Sequence, residues 1–94
     1  MEKCKITYHP KVFKIDIPRL KYLAKKILPI IYKKLSFYPE TYGLPLRSPL
    51  KGYWKLRIGD YRIIYKIVDN EIRIQVIGHR REVYEIVKRR LGLI

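Results

Sequence analysis

The sequence has few of the residues on which most catalytic sites depend. Its 94 residues contain one cysteine, Cys4, and two histidines, His9 and His79. A single cysteine excludes an internal disulfide, and the sequence shows neither a Cys/His spacing typical of metal sites nor a glycine-rich phosphate loop. The two serines lie in loop-like segments with no evident supporting base. We therefore expect a protein that uses no metal ion, no cofactor and no serine nucleophile.

Acidic residues are also scarce, with 8 Asp and Glu against 22 Lys and Arg, which gives a formal net charge of +14. Residues 1–46 carry ten bases and three acids, and residues 47–94 carry twelve and five, so the excess is not confined to a basic tail. So few acids give poor support to paired-carboxylate catalysis. A lysine-rich surface typical of proteins from hot environments would carry nearly balancing Glu. The charge instead favours a polyanionic partner, either nucleic acid or an acidic protein.

Long hydrophobic runs are missing as well. No stretch approaches 18 uncharged apolar residues, and the N-terminus has no signal-peptide core. Hydrophobic residues make up 48% of the chain, which is enough for one modest core. We expect a single domain over residues 1–94, located in the cytoplasm and without a membrane partner.

The spacing of apolar residues predicts a strand and two helices in the first half of the chain. Residues 3–8 alternate between apolar and polar side chains and end at a His-Pro pair. Residues 11–37 repeat apolar side chains at three- and four-residue spacing, as an amphipathic helix does. Asp16 is expected to cap this helix, with Pro18 in its first turn, and Pro29 is expected to break it into a helical hairpin.

The second half of the chain predicts three strands and a last helix. After a loop over residues 40–52, strands over 53–58, 61–68 and 71–77 are joined by two-residue turns, so they must run antiparallel. A helical period returns from 81 to 91. The expected fold class is α+β in the order β-α-α-β-β-β-α, with an antiparallel sheet packed on the N-terminal helical hairpin and a short C-terminal helix.

Strand alternation gathers basic and aromatic side chains on one face of this sheet. The face away from the core is expected to carry, strand by strand, Tyr53, Lys55 and Arg57, then Arg62, Ile64 and Lys66, then Arg73 and Gln75. Bases with few acids suit a phosphate backbone, and aromatic rings can stack on unpaired RNA bases. An ordinary solvated sheet face would show a similar pattern.

Such a face can cut RNA without histidine or metal. The 2′-hydroxyl of RNA can attack the adjacent phosphate, and a protein then has to position it, assist its deprotonation and stabilise the developing negative charge. Arginine and lysine serve the last task. A tyrosine or lysine whose pKa is lowered by neighbouring cations can act as the base.

Two segments of the chain resemble the RelE/ParE toxin superfamily. The first is Leu50–Tyr65, LKGYWKLRIGDYRIIY, and the second is Ile77–Tyr84, IGHRREVY. The predicted order of strands and helices also matches that fold over essentially the whole chain. The resemblance implies a RelE-type mRNA interferase. Such a protein is the toxin of a type II toxin–antitoxin system, a metal-independent endoribonuclease that inhibits translation by cutting mRNA on the ribosome.

The resemblance implies roles for four catalytic residues. Arg62 matches the arginine that binds the scissile phosphate, and Arg80 matches a second arginine that stabilises charge in the transition state. Tyr84 matches the tyrosine placed at the 2′-hydroxyl or stacked near the reacting nucleotide. Lys55 matches one of two lysines on the preceding strand.

Five further residues are candidate RNA-binding positions: Lys51, Tyr53, Arg57, His79 and Arg81. Lys51 falls where the best-known member of the superfamily has an arginine. Tyr53 stands at the place of that member's second lysine, so a division of labour between two lysines does not carry over. His79 occupies another lysine position and offers a group that titrates near neutral pH.

These assignments have structural alternatives. Arg62 could pair with Asp60 or Glu71 at the edge of the sheet. Tyr84 could face the core of the terminal helix, and His79 could be a capping or packing residue.

Two basic runs are interpreted differently. Arg80 and Arg81 would oppose the dipole of the last helix if they open it, which indicates either a functional purpose or a short loop ahead of the helix. The run Lys88-Arg89-Arg90 is expected to be solvated or bound to acidic residues of an antitoxin.

The resemblance also implies partners. One is a cognate RelB-like antitoxin whose acidic or amphipathic segment covers the basic surface or displaces Tyr84, and another is mRNA in the ribosomal A site. Operator DNA would be bound only through the antitoxin complex. Two other functions stay open at this point: ParE-like inhibition of DNA gyrase by binding alone, and an inactive RNA-binding relative.

Overall fold

The computed structural model describes residues 3–94, which form a five-stranded sheet with helices on both of its faces. The strands are β1 Lys5–Tyr8, β2 Leu44–Pro45, β3 Tyr53–Ile58, β4 Tyr61–Val68 and β5 Glu71–His79. The α-helices are α1 Ile17–Leu20, α2 Ala24–Leu35, α3 Pro39–Tyr42 and α4 Val83–Arg90. A π-helical turn, Val12–Asp16, precedes α1, and a 3₁₀ turn, Lys21–Leu23, follows it. None of these helices is both long enough and apolar enough to span a membrane.

The strand order in the sheet is β1-β5-β4-β3-β2. The two predicted hairpins are confirmed, since β3 pairs antiparallel with β4, and β4 with β5. Gly59, with φ of 58°, and Asp69, with φ of 55°, supply the left-handed backbone that tight two-residue turns require. Two strands lie outside the hairpins: β1 pairs parallel with β5 at one edge of the sheet, and β2 pairs antiparallel with β3 at the other edge.

The N-terminal helical layer differs from the prediction in where it breaks. Pro29 lies inside an uninterrupted α2, and the break occurs at Lys21, whose φ is 54°. Pro29 is exposed, so the carbonyl that loses a hydrogen bond to the missing N–H can be hydrated. Asp16 does not cap a helix, since its side chain makes no capping bond and is buried at the end of the π-helical turn. Pro18 lies in the first turn of α1, as predicted.

Three further features of the fold depart from the sequence pattern. The segment predicted as a loop over 40–52 contains the end of α3 and the short edge strand β2, which pairs with β3. A bulge between Ile64 and Tyr65 shifts the register with β5, so that Val76 instead of Gln75 shares the face of Ile64. The last helix begins at Val83, so the residues just before it form a turn.

The larger core fills the space between the helical layer and one face of the sheet. Its buried members are Val12, Leu20, Ile27, Ile31, Leu35, Leu56, Ile63, Tyr65, Ile72, Ile74 and Ile77. Trp54 packs against this core, as its place on the apolar face predicts. The hydroxyl of Tyr65 is buried and donates a hydrogen bond to the carbonyl of Pro39. The sheet is therefore held on this side, which leaves its other face to α4 and to the candidate site.

Candidate functional site

The helix α4 covers only part of the second face of the sheet. Val83 and Val87 of α4 pack on Ile64 and Val76 in a small second core. Ile64 was expected on a polar face, and this expectation is wrong because α4 buries it completely. The beginning of α4 lies close to β5, since a Cβ at Gly78 would be 3.2 Å from Cγ2 of Val83.

Beyond α4, the second face carries a row of cations on β3 and β4. In register, Arg57 lies opposite Arg62, Lys55 opposite Ile64, and Tyr53 opposite Lys66. Directly opposite residues of antiparallel strands have Cβ atoms about 4.5–5.5 Å apart, and like charges at that distance destabilise the sheet. Arg57 and Arg62 therefore form an unfavourable pair in the free protein, and an anion bound between them would remove the repulsion.

Arg62 is held by backbone groups and not by an acid. Its Nη1 donates to the carbonyl of Gly59 and to the carbonyl of Tyr61, both at 2.9 Å. The two acids that could have paired with it have other partners, since Asp60 contacts Arg80 and Glu71 contacts Arg73. The guanidinium of Arg62 thus keeps its charge uncompensated within residues 3–94.

Arg80 lies at the same hairpin turn as Arg62. Its backbone N–H donates to the carbonyl of Asp60 at 2.8 Å, and its Nε is 3.8 Å from Oδ1 of Asp60. Both side chains of that loose pair are more than half exposed, so the ion pair contributes little and can be exchanged for another anion. Arg62 on β4 and Arg80 just after β5 therefore both lie beside the Gly59-Asp60 turn, at one end of the sheet.

The helical period of α4 determines which way Tyr84 faces. Ile86, Arg89 and Arg90 lie on the flank that meets Lys11 and Ile15 of the N-terminal helical segment. With 3.6 residues per turn, Tyr84 lies on the opposite flank, toward β4 and β3. It is half-buried and packs against the second core, whose members include Ile64.

The residues predicted on the β3–β4 side therefore share one face. Lys55, Arg57 and Arg62 lie on it in register, and Tyr53 stands at its far end, with Nζ of Lys66 5.5 Å from the centre of its ring. Lys51 is exposed in the turn that leads into β3. We call the set Lys55, Arg57, Arg62, Arg80 and Tyr84 the basic face.

His79 lies apart from the basic face, and Arg81 is exposed in the turn before α4. His79 pairs in register with Tyr61, and its ring meets the Tyr61 ring edge-on at 5.6 Å between centres. Since Tyr61 precedes Arg62 by one residue and packs against the larger core, both rings lie on the side of the sheet that the N-terminal helical layer covers. Nδ1 of His79 accepts a hydrogen bond from the backbone N–H of Arg81 at 3.2 Å. These are packing and capping contacts, and Arg80 and Arg81 precede α4 in a turn.

Sequence reasoning missed one buried ion pair, between Asp16 and Arg90. Nη1 and Nη2 of Arg90 lie 2.8 and 3.0 Å from the two carboxylate oxygens of Asp16. The same carboxylate accepts the backbone N–H of Ile77, and Arg90 also donates to the carbonyl of Gln75. Arg90 was expected in solvent or on an antitoxin, which is wrong because its side chain is only 4% exposed.

A signal for this pair was present in the sequence. Asp16 is the only acid between residues 3 and 39, within a segment rich in lysine. A lone acid on the apolar side of a basic helix predicts a buried partner, because an unpaired buried carboxylate is strongly unfavourable. The other members of the basic run behave more nearly as expected, since Arg89 is exposed and Lys88 pairs with Glu85.

The site contains no metal-ligand cluster. Among residues 3–94, no three His, Cys, Asp or Glu side chains are arranged to hold an ion. Near the other end of the sheet, the carboxylate of Glu71 accepts hydrogen bonds from Thr7 and Arg73, which lower its pKa. What the basic face offers chemically is positive charge, hydrogen-bond donors and one phenol.

Comparisons with known proteins bear on the family and the fold. The sequence model of a family described as the ParE toxin of the type II toxin–antitoxin system parDE matches residues 12–84. Toxin RelE of Mycobacterium tuberculosis is 35% identical over 63 residues, which are 66% of this chain. That match spans 65% of the relative, just under two thirds of its length.

Solved structures resemble the whole fold. A chain of the toxin–antitoxin complex RelBE2 from Mycobacterium tuberculosis has a TM-score of 0.78 at 26% identity, covering 85% of this chain and 94% of that one. The YoeB dimer from Staphylococcus aureus has a TM-score of 0.63 at 27% identity, covering 82% of this chain and 97% of that one.

Proposed function

Since the chain belongs to the ParE toxin family of type II toxin–antitoxin systems, within the RelE/ParE superfamily that its two motifs resemble, we propose that it is an mRNA endonuclease of the RelE type. Its substrate is mRNA in the ribosomal A site, and its effect is to stop translation. The reaction needs neither a metal ion nor a cofactor, because the substrate supplies the nucleophile and the chain supplies the cations.

The proposed step is an in-line transesterification. The 2′-oxygen forms a bond to the adjacent phosphorus and the bond from phosphorus to the 5′-oxygen breaks, which leaves a 2′,3′-cyclic phosphate and a 5′-hydroxyl. Arg62 binds the scissile phosphate, and Arg80 stabilises the charge that develops on it. Lys55 and Tyr84 handle the protons, one taken from the 2′-hydroxyl and one given to the leaving oxygen.

One observation carries this proposal: Arg62 on β4 and Arg80 just after β5 both lie beside the Gly59-Asp60 turn, and among residues 3–94 no carboxylate pairs with Arg62. A structural arginine at the edge of a sheet would pair with an acid, and Asp60 is adjacent. The cross-strand repulsion between Arg57 and Arg62 further supports a bound anion, because a free protein gains nothing from that pair.

The second proposed partner is an antitoxin. The similarity to a chain of the RelBE2 toxin–antitoxin complex supports a RelB-like protein whose acidic or amphipathic segment neutralises the basic face. The net charge of +14 favours such a partner, and association would be fast and sensitive to salt. Binding to operator DNA would take place only through that complex.

The product ends test the nuclease proposal. Brief expression without antitoxin, followed by primer extension on abundant transcripts, should reveal breaks within translated codons. A phosphomonoesterase should release no phosphate from the 3′ ends of the fragments until acid opens the cyclic phosphate to a 2′- or 3′-monophosphate. Intact transcripts in cells that have stopped growing would refute the proposal.

A second candidate function is inhibition of DNA gyrase by binding alone. The observation that favours it is the match to a family model described as ParE toxin. Gyrase inhibition would relax plasmid DNA in the same cells and leave transcripts uncut, so one culture distinguishes the two functions.

A further inference from the structure

Three aromatic rings form an exposed patch where α2 ends and α3 begins. The ring centres of Phe37 and Tyr38 are 6.3 Å apart, and those of Tyr38 and Tyr42 are 6.0 Å apart with the rings edge-on. Nζ of Lys34 lies 5.1 Å from the centre of the Tyr42 ring. We call Phe37, Tyr38, Tyr42 and Lys34 the aromatic patch.

The patch is not part of either core. Phe37, Tyr38 and Tyr42 are 38%, 44% and 47% exposed. Neighbouring aromatic rings left open to water are costly in a small domain, and such patches mark interaction sites. The exposed parts of these neighbouring rings offer stacking surface to a ligand.

The edge strand β2 lies between the aromatic patch and the basic face. Two residues after Tyr42, Leu44 begins the edge strand β2 and lies directly opposite Lys55 of β3. Directly opposite side chains share a face of the sheet, and neighbouring strands are about 4.8 Å apart. Leu44 is 61% exposed, so a chain that crosses the basic face at Lys55 can pass over the β2 edge onto the patch.

The charge along this path suits a polyanion. Between residues 34 and 57 the sequence has five bases and a single acid, Glu40. A hydrophobic protein segment would gain little from the lysine that lies against Tyr42. A single strand of RNA would gain from both features, because its bases stack on aromatic rings while its phosphates meet the cations.

We propose that the aromatic patch is a flanking subsite for single-stranded RNA, in which unpaired bases beside the cleaved linkage stack on Tyr38 and Tyr42. The inference rests on the proposed function, because it places the reacting phosphate at the basic face. It adds a second point of contact across the β2 edge. The subsite recognises base surfaces without reading their edges, so it favours unpaired RNA over duplex and has little sequence preference.

The test uses 2′-O-methyl RNA, which binds but cannot be cleaved because the attacking hydroxyl is blocked. Oligonucleotides of about four and about ten nucleotides are titrated against the full chain, and their dissociation constants are compared. The longer RNA should bind more tightly by a factor beyond that expected from its extra phosphates. In the variant Tyr38→Ala/Tyr42→Ala, the dissociation constant for the longer RNA should rise by about fivefold or more, and this additional gain should disappear.

Two variants serve as controls. Tyr38→Phe/Tyr42→Phe keeps the rings and should keep the gain, which shows that any loss is due to stacking and not to misfolding. Tyr22→Ala removes a tyrosine that is 81% exposed outside the patch and should leave both affinities unchanged. A long RNA with abasic flanking positions has no bases to stack on the patch. It should therefore bind the unaltered chain and the double-alanine variant with the same low affinity.

Several results would overturn the subsite. They are a length gain that survives in the double-alanine variant, an equal loss in Tyr22→Ala, or a wild-type chain with no gain. If Tyr38→Ala/Tyr42→Ala instead changes the oligomeric mass of the protein in solution and leaves its RNA affinity unaltered, the patch is a contact between copies of the chain. Failure of the nuclease itself is seen separately, as intact transcripts in cells that express the unaltered chain.

Discussion

Arg90 of the last helix donates hydrogen bonds to both oxygens of the Asp16 carboxylate, which lies 74 residues earlier in the chain. The two side chains are 4% and 3% exposed, so water does not compete for them. The carboxylate also accepts a hydrogen bond from the backbone N–H of Ile77. Ile77 lies in the part of β5 that extends past the end of β1. The pair therefore joins the N-terminal helical segment, β5 and α4, the helix that carries Tyr84.

The first prediction concerns the cost of removing one partner. Arg90→Met should lower the free energy of unfolding by about 3–5 kcal/mol, because it leaves the Asp16 carboxylate buried and uncompensated. Urea denaturation monitored by the fluorescence of the single tryptophan measures this change.

The double variant Asp16→Leu/Arg90→Met is the matched control. It removes both charges, so it should be more stable than Arg90→Met alone, and the double-mutant cycle should give a large coupling energy. Additive losses would show that the two side chains do not act as a pair.

The second prediction concerns the close approach of α4 to the sheet. Gly78→Ala places a methyl group 3.2–3.3 Å from the side chain of Val83. Because Val83 is fully buried and β-branched, α4 has to move outward, at a cost of about 1–3 kcal/mol. Thermal unfolding and RNA cleavage should both decline.

A second substitution separates crowding from other causes. Val83→Ala removes Cγ2, the atom nearest to the new methyl group, so Gly78→Ala/Val83→Ala should recover part of the activity lost by Gly78→Ala. No recovery would show that the close contact does not position α4.

The third prediction is a pH dependence due to His9. Partial burial lowers the pKa of His9, and the nearby charges of Arg90 and Lys11 lower it further, against an opposing effect of Asp16. The unfolded chain then binds a proton more readily than the folded one, so this group destabilises the fold as the pH drops through the usual histidine range.

The variant His9→Gln measures that contribution. Between pH 7.5 and 5, the wild-type chain should lose more stability than His9→Gln, because the other titrating groups are common to both proteins. Equal losses in the two denaturation series would contradict the assignment.

The fourth prediction uses the repulsion between Arg57 and Arg62. Arg57→Thr should stabilise the free protein by about 0.2–1 kcal/mol, because it removes a like charge from a cross-strand pair and adds a β-branched residue. It should weaken RNA binding at low salt. The slope of log affinity against log salt should fall by about 0.7, the value for one lost phosphate contact on a single strand. If Arg57→Thr is less stable than the wild-type chain and its salt slope is unchanged, no phosphate binds between the two arginines.

Strands were predicted better than helices because their signals are local. The bounds of β3 and β4 follow from alternation and from a two-residue turn at Gly59-Asp60, and both are confirmed. The bulge beside Ile64 was not predictable in this way, since it lies within the strands, where no turn residue marks it. Ile64 is buried because α4 packs on it, and strand alternation does not encode that contact.

The helical layer shows the opposite case. Proline is a strong breaker signal, yet Pro29 is tolerated where its helix face is exposed, and the real break at Lys21 has no glycine or asparagine to mark it. The candidate site was predictable in parts. Alternation placed Lys55, Arg57 and Arg62 on one face, but the positions of His79 and Arg90 depend on packing that no local pattern encodes.

The most direct test of the nuclease proposal is the cleavage rate of Arg62→Ala on translating ribosomes, measured in single turnover. Arg73→Ala is the matched control, because Arg73 is also a sheet arginine but is paired with Glu71. We predict a rate about 10²–10³-fold lower for Arg62→Ala and nearly unchanged for Arg73→Ala, with both proteins folded. Equal rates for Arg62→Ala and the unaltered chain would contradict the account, since no phosphate could then be held at the Gly59-Asp60 turn.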